Sequence, residues 1–270
     1  MFFIKSYKSR KNKSPNIFLN RDKILNSDNP NLIYLLNKRF KWMEKYTKGK
    51  KIIIELGSGN GCLKKILKNK SILLTDIIKY PWIDLKLDML KINLNKKYKN
   101  KVDVFIINHS LHHCANPAAT LDKMSKYLKN NGVILINEPE TSFMLKLIQI
   151  ILDDESWSLT DKVFQKKKNL FSANNPWISN TAIAQLLFKE EKEFNKYFPQ
   201  YKIEKNSVSE FLIFLNSGGV NSNFFHLKLN KFFLNIVNII DNLLIFFLPQ
   251  IFAFNRSVVL KKIDRKNVSN

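Results

Sequence analysis

The amino-acid sequence predicts an α/β fold built on a doubly wound, mostly parallel sheet. The first observation is the stretch at 51–61, KIIIELGSGNG, in which a short apolar run enters a glycine-rich turn. The second is that four further apolar runs follow, separated by helical or irregular segments, and that each of them ends in polar residues. Strands that alternate with helices indicate parallel pairing, and their polar ends gather at one edge of the sheet.

The first strand and its glycine turn indicate the type of ligand. The isoleucines at 52–54 are typical of a buried parallel strand, and the spacing of apolar residues at 63–67 predicts a helix after the turn. The dinucleotide fingerprint requires a small third residue, but the residue at that position, counted from Gly57, is Cys62. The turn has instead the pattern E-x-G-x-G-x-G, starting at Glu55. This spacing argues against NAD as the ligand.

Acidic residues close the second and third predicted strands. Asp76 follows the apolar run at 72–74, about 20 residues beyond the tip of the first strand, where a carboxylate can accept hydrogen bonds from ribose hydroxyls. A solvated turn acid or a helix cap is the alternative interpretation of Asp76. Asp88 follows alternating apolar residues at 83–87 and closes the third strand, with an ordinary loop acid as the alternative.

The fourth strand has the clearest pattern after the first, and a fifth strand follows it. Strand four is predicted at 102–107 and enters the polar sequence NHSLHHC at 108–114. A helix should start at Asn116, and we expect it to end at 131–132, because Asn and Gly tolerate a left-handed backbone there. Strand five follows at 133–136.

Together, these motifs resemble those of the class I S-adenosylmethionine (SAM)-dependent methyltransferases. The resemblance covers 51–140, where E-x-G-x-G-x-G is similar to motif I and VDVFIINHSLHHCANP to motif IV and its helix. It implies SAM as the cofactor and a Rossmann-like sheet of seven strands with an antiparallel last strand. Segments 201–208 and 254–262 would be the final pair of strands in this sheet. In this family the acid at 88 commonly holds the adenine amino group, with the next residue against the ring. The residues implied for cofactor binding are Glu55, Gly57, Gly59, Gly61, Asp76, Asp88, Met89 and Asn108.

Three regions are expected along the chain. Residues 1–30 are polar and basic and are predicted to be a loose lead-in. Residues 31–140 form the SAM-binding core, which opens with a helix. Residues 141–270 contain a helical and aromatic insertion, a long apolar helix and the closing strands of the sheet. Within this last region, 143–152 is predicted to be a helix and 153–180 to be the lid or pocket for the acceptor. The alternative is that 153–180 has only a structural role and that its tryptophans pack in the core.

Composition limits the partners and the compartment. The formal net charge of +23 comes from lysines spread through the whole chain, so it does not favour a nucleic-acid partner. The two cysteines form no CxxC pattern, which indicates a reducing compartment. The first residues have no apolar run long enough for a signal peptide, and we therefore expect the protein to be cytoplasmic.

The apolar stretch at 232–254 has three interpretations. Its length allows a transmembrane helix, but a charged residue in mid-span, Asp241, is costly in lipid. Asn235, Asn238, Asp241 and Asn242 recur at steps of three and four residues, so they share one face of an amphipathic helix. A helix packed in the C-terminal region is the first interpretation. A helix that makes peripheral contact with the inner membrane surface is the second.

Histidines after strand four are the candidates for acid–base chemistry. Methyl transfer to a hydroxyl needs a base, and histidine is best suited to that role near neutral pH. We expect His109 or His113 to be the base, with Glu138 and Asp154 behind them. A structural role of the histidine pair, as in many members of the resembling family, is the alternative. We expect no metal site, because no nearby cysteine or carboxylate completes a ligand set at the usual spacing.

The acceptor is predicted less directly. The residues after strand four lack the two prolines and the aromatic residue of DNA amino-methyltransferases. The large aromatic C-terminal half favours O-methylation of a small or lipid-linked acceptor, and its organisation is similar to methyltransferases of surface-sugar and quinone biosynthesis. The alternatives are a catalytically silent methyltransferase-like binding subunit and an RNA methyltransferase. The intact acids Glu55 and Asp76 argue against the first, and only the net charge favours the second.

Overall fold

The computed structural model describes residues 4–9, 16–220 and 224–264. Its strands are β1 (Ser6–Tyr7), β2 (Ile53–Leu56), β3 (Ile72–Asp76), β4 (Leu85–Lys86), β5 (Val102–Asn108), β6 (Leu128–Pro139), β7 (Trp157–Ser158), β8 (Tyr201–Ser209) and β9 (Asn255–Lys262). Its α-helices are α1 (Ile17–Leu25), α2 (Pro30–Phe40), α3 (Glu44–Thr47), α4 (Leu63–Ile66), α5 (Pro117–Tyr127), α6 (Phe143–Leu152), α7 (Ile183–Phe188), α8 (Glu191–Tyr197), α9 (Leu212–Leu215), α10 (Lys231–Phe247) and α11 (Pro249–Phe252).

Seven strands form one sheet in the order β4-β3-β2-β5-β6-β9-β8. Strand β2 pairs in parallel with β3 on one side and β5 on the other, so that Ile54 lies opposite Leu73 and Phe105. Strand β9 runs antiparallel to both β6 and β8. The predicted Rossmann-like sheet with an antiparallel last strand is therefore confirmed. The strand order reverses between β2 and β5, which is where ligands bind in open α/β sheets.

The sheet is buried on both faces. Along β5, Phe105 and Ile107 belong to one hydrophobic cluster together with residues of α5 and α7. Val104 and Ile106 point to the other face and join a cluster with residues of α2. This alternation explains why the strand is a continuous apolar run in the sequence. Only the strand ends are left to form a site.

The helix after strand four ends earlier than the sequence predicts. Helix α5 stops at Tyr127, whereas the expected end was at 131–132. The buried Leu128 adopts an extended backbone and pairs with Val102, and the next pair is Val133 with Val104. The residues between those two pairs form an irregularity in β6 in which Asn131 is left-handed. The Asn-Gly signal marks this irregularity and not the end of the helix.

Two further expectations need correction. The third strand is reduced to two residues at the edge of the sheet, where β4 pairs only with Thr75 and Asp76 of β3. The lead-in at 1–30 is not uniformly loose, because it contains β1 and α1. Helix α1 is capped by Asn16, whose side chain accepts from the Leu19 N–H, and Phe18 packs edge-on against Trp82.

The C-terminal region contains the predicted helices. Helix α6 spans the predicted range, and the long apolar stretch forms α10, which ends before Pro249. Of the polar residues of α10, Asp241 is buried and accepts N–H bonds from the first residues of the α9 turn at 211–213, whereas Asn235 and Asn242 are exposed. Tyr34 and Lys38 of α2 donate to asparagines of the same helix. Across residues 4–9, 16–220 and 224–264, the helices are all too short or too polar to span a membrane.

Candidate active site

A cavity of about 910 Å³ lies at the carboxyl ends of the parallel strands. It is bordered by the turn after β2, the end of β3, the loop after β5 and residues of α6 and α9. Nine of the ten residues predicted for the site line it, and they are Glu55, Gly57, Gly59, Asp76, Asp88, Met89, Asn108, His109 and His113. The exception is Gly61. The structure therefore brings together almost all of the residues that the sequence singled out.

The glycine turn packs closely against its neighbours. Gly57 is left-handed (φ +66°), and a Cβ atom there would lie 2.6 Å from Cβ of Ser110, so the loop after β5 can approach only glycine. A Cβ atom on Gly61 would lie 2.6 Å from Cδ1 of Trp82. Gly61 thus supports the packing of the turn and does not line the cavity.

Asp76 connects the glycine turn to the end of β3. Its carboxylate accepts from the N–H of Gly59 at 2.8 Å and from the N–H of Ile78 at 2.9 Å. Each oxygen therefore has one protein donor and keeps a lone pair that a ligand hydroxyl can use. Asp88 is held in a similar way, because one of its oxygens accepts from the N–H of Leu90 at 2.8 Å.

Glu55 is a buried carboxyl group at the end of β2. Among the residues that the structure describes, its Oε2 atom has no hydrogen-bond partner. Burial, aided by the negative charge of Asp76 and opposed by a hydrogen bond from Ser58, raises the pKa of Glu55 to about 8. An unsatisfied oxygen in the wall of a cavity is suited to a donor or a cationic group on a ligand.

The glycine turn is covered by residues that the sequence did not indicate. The indole N–H of Trp82 donates to the carbonyl oxygen of Gly59 at 2.8 Å. The guanidinium of Arg21, on α1, stacks 4.4 Å above the Trp82 ring and donates to the carbonyl oxygen of Asn60. Helix α1 has too few apolar residues at helical spacing to stand out in the sequence, so this cover could not be found before the structure.

The loop after β5 is organised by Glu138, at the end of β6. One carboxylate oxygen of Glu138 accepts from the N–H groups of Ser110 and Leu111, each at 2.8 Å. The other accepts from Nδ1–H of His112 at 2.5 Å. The carboxylate thereby holds the loop in a shape in which His109 is left-handed (φ +48°). The oxygens of Glu138, a candidate base after the two histidines, are therefore occupied by contacts with the loop.

The two histidines predicted as the base have different surroundings. Burial, followed by the positive charge of Arg39, lowers the pKa of His109 to about 3, so the ring is neutral. Its Nε2 atom has no partner within the described part of the chain. His113 is partly exposed, and its Nδ1–H donates to the carbonyl oxygen of Ile178 at 3.2 Å.

Glu155, in the loop after α6, completes a cluster that the sequence did not predict. Its Oε1 atom lies 3.0 Å from Nε2 of His112 and 3.4 Å from Nε2 of His113. Burial disfavours the charged form of His112, but the carboxylates of Glu155 and Glu138 outweigh it and raise the pKa of His112 to about 10. Glu155 is adjacent to Asp154, the residue named from the sequence, and both line the cavity.

The predicted lid segment takes part in the cavity wall. Trp177 lines the cavity, whereas Trp157 is buried in the protein. The part of the cavity wall that α6 and α9 form is apolar. Three of its residues, Ile151, Leu215 and Phe224, are also exposed at the surface of the protein. The cavity therefore has a polar end at the glycine turn and an apolar end that opens near these three residues.

Known proteins agree with this architecture. The family described as "Methyltransferase domain" matches residues 30–192, which is more than half of the chain. A SAM-dependent methyltransferase from Archaeoglobus fulgidus has a similar structure, with 16% identity, a TM-score of 0.51, and coverage of 92% of this chain and 100% of that chain. No curated protein sequence matches the chain.

Two more solved structures are similar to the chain at lower TM-scores. The plantazolicin methyltransferase BpumL, solved in complex with a triazolic desmethylPZN analogue and SAH, is 18% identical, with a TM-score of 0.45 and coverage of 92% and 90% of the two chains. The methyltransferase in complex with the Trm112 activator of Haloferax volcanii is 9% identical, with a TM-score of 0.46 and coverage of 93% and 100%. With a matching family over most of its core and the expected sheet, the chain belongs to the methyltransferase-domain family and is a class I SAM-dependent methyltransferase.

Proposed function

We propose that the enzyme methylates a hydroxyl oxygen of a lipid-linked acceptor. One observation carries this proposal: a single cavity joins the glycine turn and its acids to an apolar end lined by Ile148, Ile151 and Leu215. A polar head group can reach the first end while an apolar chain occupies the second. Sugars and quinone-like compounds carried on lipids have both parts, and a small acceptor without the chain would leave the apolar end unused.

The polar end has the features that a SAM site requires. We propose that Glu55, Gly57, Gly59, Asp76, Asp88, Met89 and Asn108 hold the cofactor, and that Gly61 supports the turn. Oε2 of Glu55 has no hydrogen-bond partner among the described residues, each oxygen of Asp76 keeps a lone pair beside its one protein donor, and a Cβ atom at Gly59 would meet open space. SAM supplies a methyl group that is already activated by its sulfonium, so the protein contributes alignment, a water-poor cavity and a base.

Of the two predicted bases, His113 fits the role better. The ring of His109 has its pKa lowered to about 3 and binds a proton poorly, so we assign it to the wall of the site. His113 lies at the edge of the cavity, with Nε2 only 3.4 Å from the carboxylate of Glu155. When His113 accepts the hydroxyl proton, this carboxylate stabilises the resulting positive charge.

A labelling experiment tests the acceptor class. The enzyme and tritiated SAM are incubated in three parallel reactions. One contains bacterial membrane lipids in detergent, one contains total RNA and one contains a polar metabolite extract. We expect label in the lipid fraction, and mass spectrometry should place the methyl group on oxygen. Label in RNA alone would establish the RNA methyltransferase alternative. An enzyme that binds SAM but labels none of the three fractions would favour the silent binding subunit.

The same assay tests the base. His113→Asn is expected to lower kcat by about a hundredfold or more, the usual contribution of a positioned base. SAM affinity, measured by calorimetry, should stay unchanged because His113 is outside the proposed cofactor set. His226→Asn is the matched control, since His226 does not line the cavity and bonds to a nearby backbone carbonyl. Equal losses in both variants would remove His113 from the mechanism.

We also propose that α10 docks on a membrane surface. The inward face of α10 already buries Leu234, Asp241 and Ile245 against the protein, yet a second set of large apolar side chains points to solvent. Phe246 and Phe247 are 79% and 71% exposed. The exposed large apolar residues of this face are Phe232, Phe233, Ile236, Ile239, Ile240, Leu243, Phe246 and Phe247. A patch of this kind on a soluble protein marks an interaction site.

Charge favours a bilayer over a second copy of the chain. The net charge of +23 makes two copies repel each other, whereas anionic lipids attract the protein. The exposed Lys231 is the first residue of α10, where it can reach lipid phosphates. The α9 turn lies between α10 and the cavity, because Ile213 packs with Leu234 of α10 and Leu215 lines the cavity. Docking would therefore bring the open end of the cavity close to the lipid.

Sedimentation with sucrose-loaded vesicles tests this docking. We expect binding to an equal mixture of phosphatidylcholine and phosphatidylglycerol, and weaker binding to phosphatidylcholine alone. The double variant Phe246→Ser/Phe247→Ser should bind at least about tenfold more weakly, because each phenylalanine contributes about 1.5–3 kcal/mol when fully buried.

The control is Leu85→Ser, an exposed apolar residue on β4 at the opposite edge of the sheet from β8. It should bind vesicles like the unmodified protein. If the double variant bound vesicles normally but changed a dimer into a monomer in light scattering, the face would be an interface between copies of the chain and the membrane proposal would fail.

A further inference from the structure

The histidine–glutamate cluster has the composition and spacing of a metal site. His112, His113 and Glu155 each present one ligand atom, and these three atoms lie within 4.8 Å of one another. The contacts of the carboxylate oxygen with the two Nε2 atoms are 3.0 and 3.4 Å. Two ligands on one tetrahedral ion, each about 2.1 Å from it, lie about 3.4 Å apart. The two distances from the Glu155 oxygen are therefore close to those of ligands that share one cation.

The hydrogen bonds of both histidines direct their Nε2 atoms to the same point. Nδ1–H of His112 donates to Glu138, and Nδ1–H of His113 donates to the carbonyl oxygen of Ile178. Both Nε2 atoms face the Glu155 carboxylate, and a cation that displaces the Nε2 proton of His112 would bind the lone pair that the proton leaves. Three electron-rich atoms at this distance repel one another unless a positive charge lies among them. Either additional protons or a cation supply that charge.

The surroundings of the cluster match those of ligating histidines. A histidine that binds a metal usually donates its other ring N–H to a carboxylate or a backbone carbonyl, which fixes the ring. His112 has the carboxylate and His113 has the carbonyl. Glu138 is itself held by the backbone N–H groups of Ser110 and Leu111, so the support of the His112 ring is rigid.

We infer that His112, His113 and Glu155 bind a divalent cation in the acceptor cavity. The three residues line the cavity, so a cation held by them keeps an open position towards the acceptor. Imidazole and carboxylate ligands with an open position suit Zn²⁺, Mn²⁺ or Fe²⁺. The sequence-based argument against a metal site does not hold, because it considered only nearby residues and Glu155 is 43 residues from His112.

This inference rests on the proposed O-methylation for its role in catalysis. A hydroxyl bound to the cation loses its proton more readily, because the cation stabilises the alkoxide. The proton passes to water, an oxygen lone pair forms the new bond to the methyl carbon, and the electron pair of the carbon–sulfur bond remains on sulfur. In this arrangement His113 is a metal ligand and the cation takes over the task that we otherwise assign to His113 as a base.

Cobalt titration provides a test that does not depend on activity. The full chain is treated with EDTA, transferred to metal-free buffer and titrated with Co²⁺. We expect visible d–d absorption bands that saturate at one equivalent and disappear when Zn²⁺ is added. Glu155→Gln and His113→Asn should each weaken the binding of Co²⁺ about tenfold or more. Glu204→Gln, at a half-buried surface pair with Lys261, is the matched control and should bind like the unmodified protein.

The outcomes separate the inference from the proposed function. No saturable cobalt bands in a sample with a folded near-UV spectrum would overturn the inference, as would equal binding by the Glu155→Gln variant and the control. EDTA-treated enzyme that methylates lipid at the full rate would also overturn it, and the proposed function would stand with His113 as the base. Stoichiometric cobalt binding without methylation of any acceptor would support the site while the proposed function fails.

Discussion

Replacing Asp76 by alanine is expected to remove measurable SAM binding. The carboxylate holds the N–H of Gly59 in the glycine turn, and we propose that its remaining lone pairs accept two ribose hydroxyls. Hydrogen bonds to a charged group contribute about 1.5–3 kcal/mol each, so losing two should raise Kd by about a hundredfold to ten-thousandfold. Calorimetric titration with SAM, S-adenosylhomocysteine and NAD measures the effect.

The control for this prediction is Asp122→Ala. Asp122 lies on the surface of α5, where it pairs with Lys166. Its loss should leave the affinity for SAM unchanged. A full-strength SAM signal from folded Asp76→Ala protein would show that the acid at the end of β3 does not contact the cofactor. Binding of NAD in place of SAM would mean that the glycine turn had been interpreted incorrectly.

The stability of the ligand-free protein is expected to depend on the ionisation of Glu55. Its pKa is raised from 4.5 to about 8 in the folded chain, so folding favours the protonated carboxyl. This contribution to the free energy of unfolding is complete below pH 4.5, declines as the pH rises and is gone above about 8. One proton changes the free energy by about 1.4 kcal/mol per pH unit, so the decline between pH 6 and 8 should be about 2–3 kcal/mol.

Comparison with Glu55→Gln isolates this group. Glutamine has nearly the same shape and does not titrate, so the difference in free energy of unfolding between the two proteins reports Glu55 alone. The charged neighbour is Asp76, and the nearby thiol of Cys62, with its pKa raised by burial to about 11, remains neutral through this range. Urea denaturation across this interval measures the difference. A difference that stays constant with pH would mean that the carboxyl ionises normally in the folded protein.

Local patterns were sufficient to predict the sheet and the polar end of the cavity. The run before Glu55, the glycine turn and the acid at Asp76 lie within one strand–turn–helix unit and its neighbour, where sequence spacing translates directly into position at the sheet edge. The prediction of α6 was correct at both ends, because its signals are local too: Ser142 caps the helix, and the helix itself is almost wholly apolar.

Contacts between distant segments could not be predicted in this way. The cover that Arg21 and Trp82 place over the glycine turn joins α1 to the loop after β3, and neither segment has a pattern that indicates the other. The cluster around His112 likewise needs Glu155 from the loop after α6. The end of α5 was wrong because a strand pairing, Leu128 with Val102, took precedence over the local Asn-Gly signal.

The orientation of α10 also lay beyond the sequence. Its periodicity identified two faces but not which of them packs on the protein, and a polar face usually meets water. Here Asp241 is fully buried, because it accepts the otherwise unpaired N–H groups at the start of α9. The hydrogen bonds of Asp241 and the packing of Leu234 and Ile245 together determine which face of α10 meets the protein.

The bonds between Asp241 and the start of α9 have a thermodynamic consequence. They join α10 to the segment whose residues Phe214 and Leu215 form part of the cavity wall, so the two cannot shift independently without breaking buried charge-assisted bonds. A shift of α10 on binding at its outer face would therefore also displace this part of the cavity wall. If binding at the outer face raises the affinity of the cavity for its acceptor by some factor, binding of the acceptor raises the affinity of the outer face by the same factor, because such coupling is reciprocal.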